Sequence, residues 1–376
     1  MKIITVIMGN VFSFPPVLSL LHAFEKMSID SVLVTTNTTS NISDLKKTKV
    51  EIIDVDYEKI SSPIIKMINM PSTSRKIWNI IDNYYDDNTI IWVVSDVTIK
   101  YLGKKLYKRK YILHLLELSQ DLLYYSKLPW PKMNKYKLGN SALAVVVPEY
   151  NRAHIIKTWW KLKEIPFILP NKPYNNNIIE KNSIVDDSFA NKVLKKIGDK
   201  RIILYQGIMS PERPLDVFID AVDEFQGKYA FVVMSGGDNL YRNCKSPNYY
   251  FIPFVNPPKH LQVTSHAYIG VLSYVPTDGT GYSPLNSIYC APNKTYEYSM
   301  FGIPMLGNDI PGLNYLFEMN NCGKCFKSFT KEHICESITY IEENYSSLAS
   351  NSLSYYDKCD YKELLNEILE EVRGKI

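Results

Sequence analysis

Lys294 and Glu297 stand three residues apart in APNKTYEYSMFGIPMLGNDIPG, residues 291–312. On a helix that spacing puts an ammonium and a carboxylate on one face. The stretch reads as a helix. Pro292 suits a first turn, Phe301 continues the row, and Gly302 with Pro304 stops it. Unpaired N–H groups at a helix start favour an anion. Lys294 adds a full charge, and Glu297, one turn on, can accept from two adjacent hydroxyls such as a ribose carries. The pattern fits a nucleotide; a surface ion pair on a core helix fits the same spacing.

Two further segments could serve the same ligand. TDGTGYSPLNSIYC (277–290) runs into that helix, and its Gly279 and Gly281 permit a tight loop whose backbone can approach phosphate or sugar. In LYQGIMSPERPLDVF (204–218), Gly207 ends a strand-like run and Arg213 opens a helix-like one. The guanidinium fork suits a diphosphate, although an arginine that solvates the helix start reads equally well.

The elements that must hold these residues alternate. The runs 2–8, 31–36, 90–95, 110–116 and 142–147 are predominantly apolar, as buried parallel strands are, with helical stretches between them. The pattern restarts with strands at 201–207, 229–237, 267–274 and 303–307. A helix opened by Arg213-Pro214 carries Leu215, Phe218, Ile219, Val222 and Phe225 in helical period. Two β-α-β series predict an α/β chain of two Rossmann-like, doubly wound domains, with ligands at the carboxyl ends of the strands. A chain of 376 residues is too long for one core. The prolines and asparagines of 166–177 mark the junction. The expected domains are 1–170 and 171–360, with a last amphipathic helix over 361–376 packing back on the first.

Composition narrows the class. Hydrophobic residues make up 45% and charged residues 22%, which fits a globular enzyme. No run approaches the ~20 apolar residues of a membrane span. Gly9 and Pro15-Pro16 interrupt the N-terminal apolar run, which reads as a strand and loop rather than a signal peptide, so a cytoplasmic location is expected. Cys244, Cys290, Cys322, Cys325, Cys335 and Cys359 show no disulfide rhythm, and Cys322-Gly-Lys-Cys325 has no second pair to complete a zinc site. That motif is expected to be a loop and the strand after it. Positive charge concentrates in the first half, in KKLYKRK (104–110) and KLPWPKMNKYK (127–137). Lysines mixed with Trp130, Met133 and Tyr136 suit anionic lipid headgroups as well as they suit a solvated loop. No nucleic-acid motif accompanies the charge.

Together, YQG…R at 205–213 and APNKTYEYSMFGIPML…DIPG at 291–312 resemble the nucleotide domain of GT-B glycosyltransferases, specifically the retaining family four that builds bacterial polysaccharides. The second block is similar to that family's PNK-x-x-EY-x-x-x-G-x-P helix with the IPG loop that follows. GNVFSFPP, HLLEL (114–118) and PEYNRA (148–153) extend the resemblance over nearly the whole chain. It implies a GT-B fold and a metal-independent hexosyltransferase without a cofactor. The donor would be a nucleotide-diphosphate sugar, UDP ahead of GDP, and the acceptor a glycan or lipid-linked oligosaccharide in capsule or O-antigen assembly. Segment 104–137 would then touch the inner membrane face.

By the same resemblance, Glu297 would bind the donor ribose and Arg213 and Lys294 its diphosphate. Asn286, Tyr289 and Asn293 would lie by the transferred sugar, Gly207 by the donor, and Phe254 and Val255 by the base. In the first domain, His114 and Glu117 stand at the end of strand 110–116, where a histidine can bind a sugar hydroxyl or move a proton or simply be a satisfied structural residue; the resemblance favours a part in catalysis, and Gly9 and Asn10 in the first loop would help place donor or acceptor. Glu149 and Arg152 are read as interdomain structure. One position departs: many members carry a glutamate eight residues before the ribose-binding one, where this chain has Tyr289. No Asp-x-Asp is present at Asp86-Asp87 or Asp96 to call for a metal. Two rival readings remain, a sugar-nucleotide 2-epimerase and a non-catalytic GT-B partner subunit.

Overall fold

A computed structural model describes residues 1–36, 50–55, 57, 63–122, 133–174, 179–277 and 282–376, with the backbone alone described over 63–67. The chain divides into two compact units. The first draws mainly on Met1–Tyr174 and Tyr361–Ile376, and the second on Asn175–Thr280 and Pro284–Asp360.

The first unit is built on a seven-stranded, wholly parallel sheet. Its strands are β1 (Lys2–Ile7), β2 (Asp30–Thr36), β3 (Glu51–Val55), β4 (Thr89–Val94), β5 (Tyr111–His114), β6 (Ala144–Val147) and β7 (Phe167–Ile168), in the order β3-β2-β1-β4-β5-β6-β7. The central strands are apolar on both faces because helices cover both. Helix Pro15–Lys26 buries Val17, Leu20, Leu21 and Phe24 on one face, as their spacing predicts. The final helix, Tyr361–Gly374, adds Leu365, Ile368, Leu369 and Val372 to the same core, where Trp92 lies edge-on to Phe24.

The second unit has a six-stranded parallel sheet: β8 (Arg201–Gln206), β9 (Tyr229–Ser235), β10 (Tyr249–Pro253), β11 (Ala267–Leu272), β12 (Met305–Asn308) and β13 (Gly323–Phe326). Their order is β10-β9-β8-β11-β12-β13. The strand order reverses between β8 and β11, as it does between β1 and β4, and open parallel sheets bind ligands at the carboxyl edge of such a switch. Two Rossmann-like, doubly wound units, each α/β and parallel, are the fold class that the strand pattern predicts.

Several elements differ from their expected bounds. The helix after Arg213-Pro214 is regular only over Asp216–Asp223, because Leu215 keeps an extended φ of −127°. The helix carrying Lys294 and Glu297 spans only Asn293–Ser299, and Pro292, at ψ 139°, is its N-cap rather than its first turn. Cys325 lies within β13 and Cys322 just before it. Both are free thiols, and burial pushes each up to about 12. Such thiols are poor nucleophiles. No group of three metal-ligating side chains occurs among the described residues, and none of their helices is long and apolar enough to cross a membrane.

Candidate functional site

At the carboxyl edge of the second sheet, four neighbouring strands end in the residues that could hold a ligand. Strand β10 runs into Phe254, β9 into Gly236, β8 into Gly207, and β11 into Ser273 and Tyr274. Gly207 has φ +130°, which a side chain rarely adopts. A Cβ there would lie 3.3 Å from Lys294 Nζ, 3.7 Å from Tyr205 Oη and 4.0 Å from Arg213 Nη1. Lysine and arginine therefore converge on the bare face of one glycine. An amide backbone with two cations beside it is suited to a phosphate.

Lys294 is 7% exposed. Its Nζ lies 4.9 Å from the centre of the Tyr205 ring and 5.2 Å from that of Tyr274, and it makes no hydrogen bond or ion pair among the described residues. Burial, followed by the Arg213 charge, brings its pKa down from the usual lysine range to about 7. Arg213 donates to the Ile208 carbonyl at 3.2 Å, lies over the Tyr274 ring at 5.5 Å, and leaves its buried Nε without a partner among the described residues. Asn308 fixes Tyr274 from below, taking its N–H at 2.9 Å and donating to its carbonyl at 2.7 Å. The two cations thus meet beside the end of β8, and neither makes a direct ion pair with a protein carboxylate among the described residues.

Glu297 does not pair with Lys294, so the surface ion-pair reading fails. Its carboxylate is 4% exposed and accepts from Gln206 Nε2 and, at 3.3 Å, faces His260 Nε2. Burial works against its ionisation, but the His260 and Gln206 hydrogen bonds and the Lys294 charge outweigh that and hold its pKa below the ordinary carboxylate value. The helix beneath is anchored from its other side: Tyr298 lies flat on Gly270 and donates to the Leu204 carbonyl at 3.0 Å. The glycine of the IPG loop has a structural reason too, since a Cβ on Gly312 would meet the backbone of Ile288 and Cys290 at 2.9–3.2 Å.

Other expected residues fall around this group. Phe254 is 57% exposed, with its Cβ beside Gly236, while Val255 is buried in the core beneath. Asn286 lies in the short helix Leu285–Ile288, Tyr289 closes it, and Asn293 opens the next; all three are partly buried. Gly279 and Gly281 lie outside the described residues, as do Trp130 and most of segment 127–137. Of the basic face, Lys137 lies over Tyr107 at 4.8 Å, and Lys135 and Lys161 lie over Tyr136 at 5.8 and 5.2 Å.

In the first unit, His114 ends β5 and is buried. Its Nδ1 accepts from Trp92 Nε1 at 3.3 Å, so Nε2 carries the proton, and it has no partner among the described residues. Burial lowers its pKa to about 4, so the ring is neutral at pH 7. Glu117 is half exposed and faces Arg152 at 3.9 Å, while Arg152 donates to the Leu116 carbonyl at 2.8 Å. Glu149 caps helix Tyr150–Trp160 by accepting from Arg152 N. Both Glu149 and Arg152 thus have roles inside the first unit. Asn10 Oδ1 caps the turn Val11–Ser13, and Gly9, at φ +148°, leaves room for the Phe14 ring.

Sequence reasoning missed Gln206, His260 and Thr264, which support Glu297 from distant segments, and Asn308; no local spacing marks them. It also passed over Asp54-Val55-Asp56, an Asp-x-Asp at the end of the edge strand β3, of which Asp56 lies outside the described residues.

No family model matches the chain, and no curated protein matches it. Solved structures do. The Anabaena protein HepE in complex with UDP and glucose superposes with a TM-score of 0.72 at 13% identity, covering 99% of each chain. Sucrose-phosphate synthase from Thermosynechococcus elongatus gives 0.69 at 12% identity over 100% of both chains. A protein described as a UDP-N-acetylglucosamine 2-epimerase, from Listeria monocytogenes, gives 0.65 at 17% identity over 100% of this chain and 96% of that one. At such identities the likeness is one of fold.

Proposed function

We propose that this protein is a glycosyltransferase that moves a sugar from a nucleotide-diphosphate sugar to a glycan or lipid-linked acceptor. The observation that carries the reading is the pair Lys294 and Arg213, which converge on the bare face of Gly207 with no direct ion pair to a carboxylate among the described residues. When the sugar–phosphate bond breaks, charge develops on the departing diphosphate. Two preorganised cations in a water-poor site stabilise that charge more than they stabilise the intact donor. They supply positive charge without a metal, and no cofactor is needed.

Within this reading Glu297 holds the ribose and Phe254 stacks on the base. Asn286, Tyr289 and Asn293 line the sugar. In the first unit, Gly9, Asn10 and Glu117 belong to the acceptor side, and His114 offers its Nε2–H to a sugar hydroxyl. UDP is favoured as the carrier, because HepE has been crystallised with UDP and with UDP-glucose. Retention of configuration, membership of family four, and a place in capsule or O-antigen assembly rest on the sequence resemblance. Contact of the Lys/Tyr face of 104–137 with anionic membrane from the cytoplasmic side rests on its composition. The test is turnover: UDP-sugars with lipid-linked acceptors should release UDP and give a glycoside whose anomeric configuration matches the donor. Hydrolysis alone, or no acceptor dependence, would overturn the reading.

A second reading is kept because of the Listeria neighbour. A 2-epimerase would convert a UDP-N-acetylhexosamine into its 2-epimer with no acceptor present, which proton NMR of the sugar detects directly.

A further inference from the structure

The carboxylate of Glu297 belongs to a ring of linked groups that closes through the backbone carbonyl of His260. Oε2 accepts from Gln206 Nε2 and Oε1 faces His260 Nε2 at 3.3 Å. The other amide atom of Gln206, Oε1, accepts from Thr264 Oγ1 at 2.6 Å. Thr264 lies one turn beyond His260 on helix His260–Thr264, and its hydroxyl is also 3.0 Å from the His260 carbonyl. The amide of Gln206 has one workable orientation, NH2 toward the carboxylate and oxygen toward the hydroxyl. Each carboxylate oxygen therefore has one donor from the protein and keeps lone pairs free for a ligand.

The ring is an expensive way to hold a helix. His260 faces the carboxylate through Nε2, and its Nδ1 is buried with no partner among the described residues. An unsatisfied buried nitrogen lowers stability, and an apolar side chain at position 260 would avoid the cost. What His260 supplies instead is a second, independent hold on Glu297, which leaves the carboxylate one rotamer. The hydrogen bonds from His260 and Gln206 help keep Glu297 ionised against its burial.

We infer that His260 and Gln206 are positioning residues that aim the Glu297 carboxylate at the ribose diol, and that His260, acting through Glu297, sets the preference of the site for ribose over deoxyribose. The inference rests on the reading of Glu297 as the ribose ligand. A hydroxyl bound to a fixed carboxylate contributes a charge-assisted hydrogen bond. A carboxylate free to swing loses that contact.

Calorimetric titration of the full chain with UDP, 2′-deoxy-UDP and pyrophosphate tests this in wild type, Glu297→Gln, His260→Ala and His260→Gln. Wild type is expected to prefer UDP over its deoxy analogue by about tenfold. His260→Ala should bring the two close to parity and leave pyrophosphate affinity unchanged. His260→Gln, which restores a donor, should recover most of the preference. If His260→Ala keeps the full preference while Glu297→Gln loses it, the positioning role is wrong and the ribose reading stands. If Glu297→Gln keeps the preference, the ribose reading fails and this inference fails with it. Equal loss of pyrophosphate binding in His260→Ala would mean general damage to the site and would also overturn the role. Should that variant not fold, Thr264→Val, which releases Gln206 from the ring, is read by the same criteria.

Discussion

Replacing Lys294 by methionine should make the protein more stable and less able to bind nucleotide. The lysine is 7% exposed, lies between two tyrosine rings, and makes no direct ion pair among the described residues, so that the Glu297 charge offsets its burial only in part. Burial takes its pKa from 10.5 to about 7. A displacement of that size disfavours the folded state by about 4 kcal/mol at pH 7, relative to an unperturbed lysine. Methionine has similar length, no charge, and a sulfur that packs well against aromatic rings. Relaxation around the lysine reduces the recoverable part, so a gain of about 2 kcal/mol is expected. The sign with pH follows. Between pH 7 and 10.5 the unfolded chain binds more protons at this residue than the folded one, so wild-type stability rises with pH through that window. The variant lacks that rise, which is about 2 kcal/mol between pH 7 and pH 9, so its advantage should be largely gone at pH 9. Urea unfolding midpoints at the two pH values, with UDP calorimetry beside them, make the assay. A variant less stable than wild type, or an advantage indifferent to pH, would refute the account of Lys294 as a buried, only partly compensated cation.

Other outcomes follow from the same geometry. A diphosphate restores the charged form of Lys294, so binding near pH 7–8 should take up a fraction of a proton and affinity should fall as pH rises above about 7; titration in buffers of different ionisation heat measures the uptake. Gly207→Ala should cost about 1–3 kcal/mol in unfolding free energy from its positive φ, and should weaken UDP binding because its methyl enters the space beside Lys294 and Arg213. Cys244 is exposed whereas Cys290 and Cys322 are buried; a thiol reagent at pH 8 should therefore label Cys244 quickly and those two only on unfolding.

The long central strands were legible in sequence because both of their faces are covered, which writes them as unbroken apolar runs. Strands β3 and β7 were not. Glu51–Val55 is an edge strand with exposed Glu51 and Asp54, and Phe167–Ile168 is two residues long among prolines. The helix around Lys294 was legible from its local block, but it begins one residue later and is shorter than the proline and glycine signals suggested. That shift matters chemically. A seven-residue helix has a weak dipole, so the positive character of the site comes from the two side chains more than from the helix end. The partners of Glu297 could not be read at all. Gln206 and His260 lie 91 and 37 residues from it in sequence, and only the sheet order brings them together.

The proposed function requires the second unit to bind a nucleoside diphosphate through Arg213, Lys294 and Glu297. Calorimetric titration of the purified protein with UDP, GDP and their sugar conjugates, repeated on Arg213→Ala and Glu297→Ala, tests it most directly. One nucleoside diphosphate should bind wild type, and both variants should lose it. Failure of every nucleotide to bind wild type, or undiminished binding by Arg213→Ala, would contradict it.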